Sequence, residues 1–310
     1  MRLTLFAATM VVILLGQAIP SNAGIPVPVE MTCPIGGKKF TFIDTMSSSR
    51  WGSRPDGKPY GSWEFPMPVP ACPDNGLVMY RQFSEAEIKQ LKALLKTPNF
   101  QKVRNETTYY RIAWFMRALH DKDDATALWM VNQASWQADG DPEIKARYQR
   151  EFAEGIATLP KEPESLDWIA LQGRAANAWR ELGDFERAKQ VIASVSTEML
   201  DVPIPAEVVS GTTPSGLGKT ITNYEQIMIA KNKRGWLSYF ADLKKLIERK
   251  DKSSEPIDMI PIREAARKCM DMKEAGSQLN PYCANDAVKQ QMDAFQRVQD
   301  AIAAERAKPH

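Results

Sequence analysis

Histidine is almost missing: the 310 residues contain two, His120 and the terminal His310. That removes the imidazole on which Ser-His-Asp, Cys-His and most zinc-hydrolase schemes depend. The four cysteines never form a C-x-x-C pair, so neither a dithiol redox motif nor a four-thiolate zinc site is spelled out. Neither sign of charge dominates, with 40 basic and 38 acidic side chains and a net charge of +2. Such a balance gives no electrostatic reason to expect nucleic acid or an anionic membrane as partner. Carboxylate pairs such as Asp123-Asp124 and Glu162/Glu164 fall in loops or helix starts, where they favour the positive end of a helix dipole. No catalytic residue, cofactor site or metal ligand set is therefore predicted.

A long apolar run occurs only at the start. Arg2 precedes Leu3 to Leu15, interrupted by Thr4 and Thr9; Pro20 and then Ser21-Asn22-Ala23 follow. This reads as an export signal over 1–23, cleaved after Ala23. A retained anchor is the alternative, but the stretch is shorter than the roughly 20 residues of a spanning helix. The mature chain is expected to be periplasmic or secreted, with no stable membrane insertion.

Residues 24–83 are rich in Pro, Gly and Ser. Short β-stretches are expected at Lys39 to Ile43 and Val78 to Gln82, while the prolines and glycines between them forbid a long element. At Ser84-Glu85-Ala86-Glu87 a capping box opens the helical body. Helical spacing then predicts Glu106 to Leu119, Ala125 to Ala138, Pro142 to Leu159, Leu166 to Leu182 and Phe185 to Val195. Residues 201–220 read as a Pro/Gly-rich loop, and 221–310 as a C-terminal helical region. Its helices are Ile221 to Arg249, with a break near Gly235, then Pro261 to Gly276 and Asn285 to Ala307.

Within the body, Leu182-Gly183-Asp184-Phe185-Glu186-Arg187-Ala188 resembles the turn of a tetratricopeptide (TPR) repeat. Gly183 ends one helix, Asp184 caps the next, and Phe185 and Ala188 pack at the crossing, with Ala176 and Trp179 upstream. A weaker copy aligns Ala113, Met116, Leu119, Asp121 and Ala125 with Ala176, Trp179, Leu182, Asp184 and Ala188, His120 replacing the glycine. The expected fold is mainly α: a TPR-like α-α stack behind a small N-terminal module. An ordinary helical bundle with a coincidental match is the plainer alternative.

Cys33-Pro34 with Phe40, Arg50, Arg54, Pro59-Tyr60 and Cys72-Pro73 with Gly76, followed by the Leu182 to Ala188 turn, resembles an uncharacterised bacterial family, a domain of unknown function. That family has a zinc-ribbon-like Cys-Pro-x-Cys…Cys-Pro-x-Cys-Gly module and a TPR-like body. Gly36 and Asn75 stand where the pattern has cysteines, so zinc binding does not transfer and the module is a degenerate ribbon. If its backbone is kept, Cys33 and Cys72 remain close enough for a disulfide. Cys269, late in one helix, and Cys283, before the next, form the second candidate pair across the Asn280-Pro281-Tyr282 turn. Free thiols are the alternative.

Thr213 to Thr220 imitates a phosphate-binding loop, but its first glycine is Thr213 and no hydrophobic strand precedes it. Lys231, Lys233 and Arg234 read as a solvated helix face. The function expected is a non-enzymatic scaffold whose concave helical surface holds a protein or peptide. The rival is an envelope hydrolase working on glycan or peptide through acidic residues in a groove. The sequence leaves the oligomeric state open.

Overall fold

The computed structural model describes residues 24–121, 123–212 and 219–307. The expected export signal, most of the phosphate-loop imitation and His310 lie outside them. Among the described residues the chain forms ten α-helices and three two-stranded antiparallel ribbons.

The first ribbon joins β1 (Pro26–Thr32) to β2 (Lys39–Thr45). The second joins β3 (Arg50–Ser53) to β4 (Pro59–Gly61). The segment Val78 to Gln82 is not a strand: it contributes one isolated bridge, Ala71 to Val78. Leu77 and Val78 are fully buried in the main core, so this stretch serves as a plug into the helices rather than a ladder.

The helical body runs through α1 (Glu85–Leu94), α2 (Pro98–Val103), α3 (Thr108–Leu119), α4 (Asp124–Gln137), α5 (Pro142–Ile156), α6 (Leu166–Leu182) and α7 (Phe185–Ala193). The capping box is present, with Ser84 accepting from the Glu87 amide and Glu87 from the Ser84 amide. Each helix from α3 to α7 packs on the next, and α8 (Tyr224–Glu248) closes on α6 and α7. One continuous core links Phe100, Phe115, Tyr148, Phe152 and Ile169 to Leu77 and Cys72. A second, smaller core joins α9 (Ile262–Glu274) and α10 (Asp286–Arg306) to Ile257 and Ile260.

Three expectations need correction. α8 passes unbroken through Gly235; the isolated glycine costs about 1 kcal/mol against alanine, and Trp236, Tyr239 and Phe240 immediately beyond it pack against the main core. The stretch before α8 is not simply loop, because β5 (Val209–Thr212) pairs with β6 (Lys219–Ile221) and the helix begins at Tyr224. In the weaker repeat copy His120 does take the left-handed place of glycine, at φ 52° against 83° for Gly183. The cap, however, falls on Asp123, whose side chain accepts from the Thr126 amide. Counted from the cap, the counterpart of Ala188 is therefore Ala127, fully buried, and not Ala125. Among the described residues no helix is long and apolar enough to cross a membrane.

Candidate functional site

The β3–β4 hairpin turns through Arg54-Pro55-Asp56-Gly57-Lys58. Proline presets the first corner, Gly57 supplies φ +94°, and the Gly57 amide donates to the Arg54 carbonyl at 2.9 Å. Asp56 Oδ1 accepts from the Lys58 amide. This turn does not face solvent. It lies between α4, α6 and α8 with Arg54 and Asp56 only 6% and 3% exposed.

The helices hold its backbone by polar contacts. Arg174 on α6 and the Tyr239 hydroxyl on α8 both donate to the Pro55 carbonyl. Asn132 on α4 donates to the Asp56 carbonyl at 3.1 Å. A Cβ at Gly57 would sit 3.1 Å from Arg174 Nε, so the glycine also permits the close approach. Arg174 is itself aligned over the Trp236 and Tyr239 rings, 5.0 Å from each centroid.

The side chains form a continuous charged network. Arg54 bonds Asp56 and, at 2.9 Å, Asp139 at the end of α4. Asp139 also accepts from Lys58 at 2.7 Å and from Lys145 of α5 at 2.9 Å. Lys145 reaches Glu181 of α6 at 3.5 Å, and Glu181 accepts from Gln149 and Asn177, both at 2.8 Å. Asn177 holds Arg180, whose guanidinium donates to the Asp251 and Ser253 carbonyls.

Burial opposes the charge on Arg54, but Asp56 and Asp139 outweigh it and hold the guanidinium above its ordinary value. Burial likewise opposes the charge on Asp139, yet the bonds from Arg54 and Lys58 and the charge of Lys145 keep it well below the carboxylate range. Burial, reinforced by Asp56, pushes Glu181 up. Asp56 and Glu181 are buried, Asp139 is partly exposed, and each is paired with at least one cation.

The sign of the Asp139 shift makes a prediction. A carboxyl with a depressed folded pKa stabilises above its unfolded value near 4 and loses that contribution as pH falls through the folded one. The urea midpoint should therefore begin to drop below about pH 5 and keep falling below about pH 3, and Asp139→Asn should flatten that drop while lowering the midpoint at pH 7. An unchanged slope in the variant would remove Asp139 from the acid response.

The predicted cysteines are paired as Cys33–Cys72 and Cys269–Cys283, with Cα–Cα distances of 5.6 and 5.7 Å. Both knuckles are hairpin-like turns: the Cys33 amide donates to Lys38 O and the Cys72 amide to Leu77 O. Asn75 links the two turns. Its Nδ2 donates to the Ile35 carbonyl at 2.8 Å and its Oδ1 accepts from the Leu77 amide at 3.0 Å, so an amide ties one knuckle to the other. Asp74 brings a carboxylate oxygen within 4.8 Å of both sulfurs. With the sulfurs bonded to each other this set offers one carboxylate and no thiolate, the form in which cysteine binds zinc.

The repeat residues divide into two roles. Ala176, Trp179 and Ala188 are buried, Gly183 is left-handed, and Asp184 caps α7 by accepting from Arg187 N. Trp179, Leu182, Gly183, Asp184 and Phe185 also line a cleft of about 630 Å³ bounded by α5 and the end of α8. Arg187 lies over the Trp179 ring, 4.5 Å from its centroid, at the mouth of that cleft.

Sequence reasoning singled out Arg54 without its charged partners, and missed Asp56, Lys58, Arg174, Glu181 and Tyr239. One signal was available, the x-Pro-Asp-Gly-x pattern of a tight turn; that the turn would be buried is a property of the packed helices. No family model, curated protein or solved structure matches the chain.

Proposed function

We propose that the chain is an exported, non-enzymatic helical-repeat protein of TPR-like build, a protein- or peptide-binding scaffold of the cell envelope with a degenerate ribbon-like module at its N-terminus. The observation that carries this is the hold of α4, α6 and α8 on main-chain carbonyls. Asn132, Arg174 and Tyr239 read the backbone of a bent segment, Pro55-Asp56, as a groove reads a peptide. That segment belongs to the chain's own module, so a partner in trans takes the cleft at the α6–α7 turn. There an aromatic and aliphatic floor of Trp179, Leu182 and Phe185 is rimmed by Arg187, Lys189 and Glu186, the mixture of apolar centre and polar rim usual in interfaces. The two disulfides support an oxidising compartment. Asp56 and Asp139, the acids gathered at the hairpin turn, are held in ion pairs with Arg54, Lys58 and Lys145, which favours a structural over a hydrolytic role for that cluster.

The test is affinity capture from envelope extract with the mature protein, run beside Arg187→Glu, an exposed position. A partner retained by the first and lost by the second, at least about tenfold weaker, is the expected outcome. A partner equally retained by both would move the binding surface elsewhere, and none at all would count against a scaffold.

A further inference from the structure

A second cleft, of about 320 Å³, opens between the β3–β4 hairpin and α9. Trp51, Tyr60, Trp63 and Phe65 contribute to its wall. Trp51 and Trp63 are large apolar side chains that join neither hydrophobic core of the molecule. Both are nevertheless held. The Trp51 Nε1 donates to Glu264 at 2.9 Å, and the Arg263 guanidinium lies 4.9 Å from its ring centroid. Gly24 backs Trp63 so closely that a Cβ there would come within 2.3 Å of Cε3. Two fixed indoles that border a cleft without serving a core are placed for a ligand.

Polar groups share the same wall. Glu64 is exposed and, among the described residues, has no hydrogen bond or ion pair of its own. Glu264 takes the Trp51 indole on one oxygen and pairs with Arg267 at 3.3 Å. Lys58 reaches the cleft from the charged network. The cleft thus presents flat apolar rings together with one unpartnered acceptor, Glu64, and two donors, Lys58 and Arg267, that are already paired on one side. A proline-rich peptide would stack on such rings but has no amide hydrogens for Glu64. A quaternary ammonium would suit the rings but has no hydrogen to give Glu64 and no acceptor for Lys58 or Arg267. A sugar ring has apolar C–H faces for the indoles and hydroxyls that both donate and accept.

We infer that this cleft is a saccharide-binding subsite, with Trp51 and Trp63 as the stacking surface and Glu64 and Arg267 as the groups that bond hydroxyls. It is separate from the peptide-reading surfaces and stands or falls apart from them.

The test titrates the full mature protein with cellotriose, maltotriose and N-acetylchitotriose at millimolar concentrations, following tryptophan emission and heat. At least one should give a saturable change, weakened about tenfold or more in Glu64→Ala, an exposed position at which the thermal midpoint should not move. Trp63→Ala should abolish it. Absence of binding by all three, or wild-type binding by both variants, would overturn the assignment, as would saturable binding of a proline hexapeptide with no response to any sugar.

Discussion

Replacing Arg54 with alanine is expected to destabilise the protein by about 3–5 kcal/mol, the cost of breaking a buried ion pair from one side. The magnitude follows from what is left behind. Asp56 has a side chain 4% exposed and Asp139 one 31% exposed, and both would lose the guanidinium that answers their charge. Lys58 and Lys145 still reach Asp139, so most of the loss falls on Asp56. Arg54→Lys should recover only part, because an ammonium cannot span Asp56 and Asp139 with a planar fork. The double variant Arg54→Ala/Asp56→Ala should cost clearly less than the sum of the two single changes, since the pair is one coupled unit. Urea midpoints at pH 7 for the wild type and the four variants settle the matter. Strict additivity would mean that the turn is held by its backbone contacts to Asn132, Arg174 and Tyr239 alone.

This network explains why the site was less legible than the fold. Helices announce themselves locally: Ser84 and Glu87 form a box, Gly183 and Asp184 stop one helix and start another, and Asn285 caps α10 by accepting from Ala287 and Val288. Each signal lies within a few residues of the structure it causes. The charges around Arg54 are ordinary surface residues by composition. They become a site only because α4, α6 and α8 bring positions more than 75 residues apart in sequence against one turn.

Lys39 to Ile43 lies within β2 as expected, but the other strands were illegible for a different reason. Pro26 and Pro28 look like breakers, yet β1 pairs on one side only, so a missing amide hydrogen can face solvent. Val78-Met79-Tyr80 has the residues of a strand, but Val78 and its neighbour Leu77 are wholly buried among helical side chains, and burial rather than pairing decides their conformation. Val208 and Val209 carry a β signal that Pro203 and Pro205 obscured, and both side chains are exposed.

The second large effect concerns the amino-terminal clasp. Replacing Cys33 and Cys72 together by alanine should lower stability by about 4 kcal/mol in the chain-entropy model, against about 3 kcal/mol for Cys269 and Cys283, because the closed loops differ in length: the sequence separations are 39 and 14. The two losses should differ more in place than in size. The Cys72 knuckle continues into Leu77 and Val78, which are anchored in the main core, so it stays put without its sulfur. The Cys33 knuckle belongs to the β1–β2 ribbon, whose Val29 and Ile43 are exposed. Beyond the disulfide, Asn75 ties this knuckle across through its bond to Ile35 O. Hydrogen exchange in the Cys33→Ala/Cys72→Ala protein should therefore rise first along residues 26–45, with α3 to α6 still protected. Adding Asn75→Ala should release that ribbon further while barely shifting the midpoint of the helical body. Uniform loss of protection across α3 to α6 would show that the clasp supports the whole stack, and equal protection of residues 26–45 with and without the sulfurs would show that the bond constrains nothing the hydrogen bonds do not already hold.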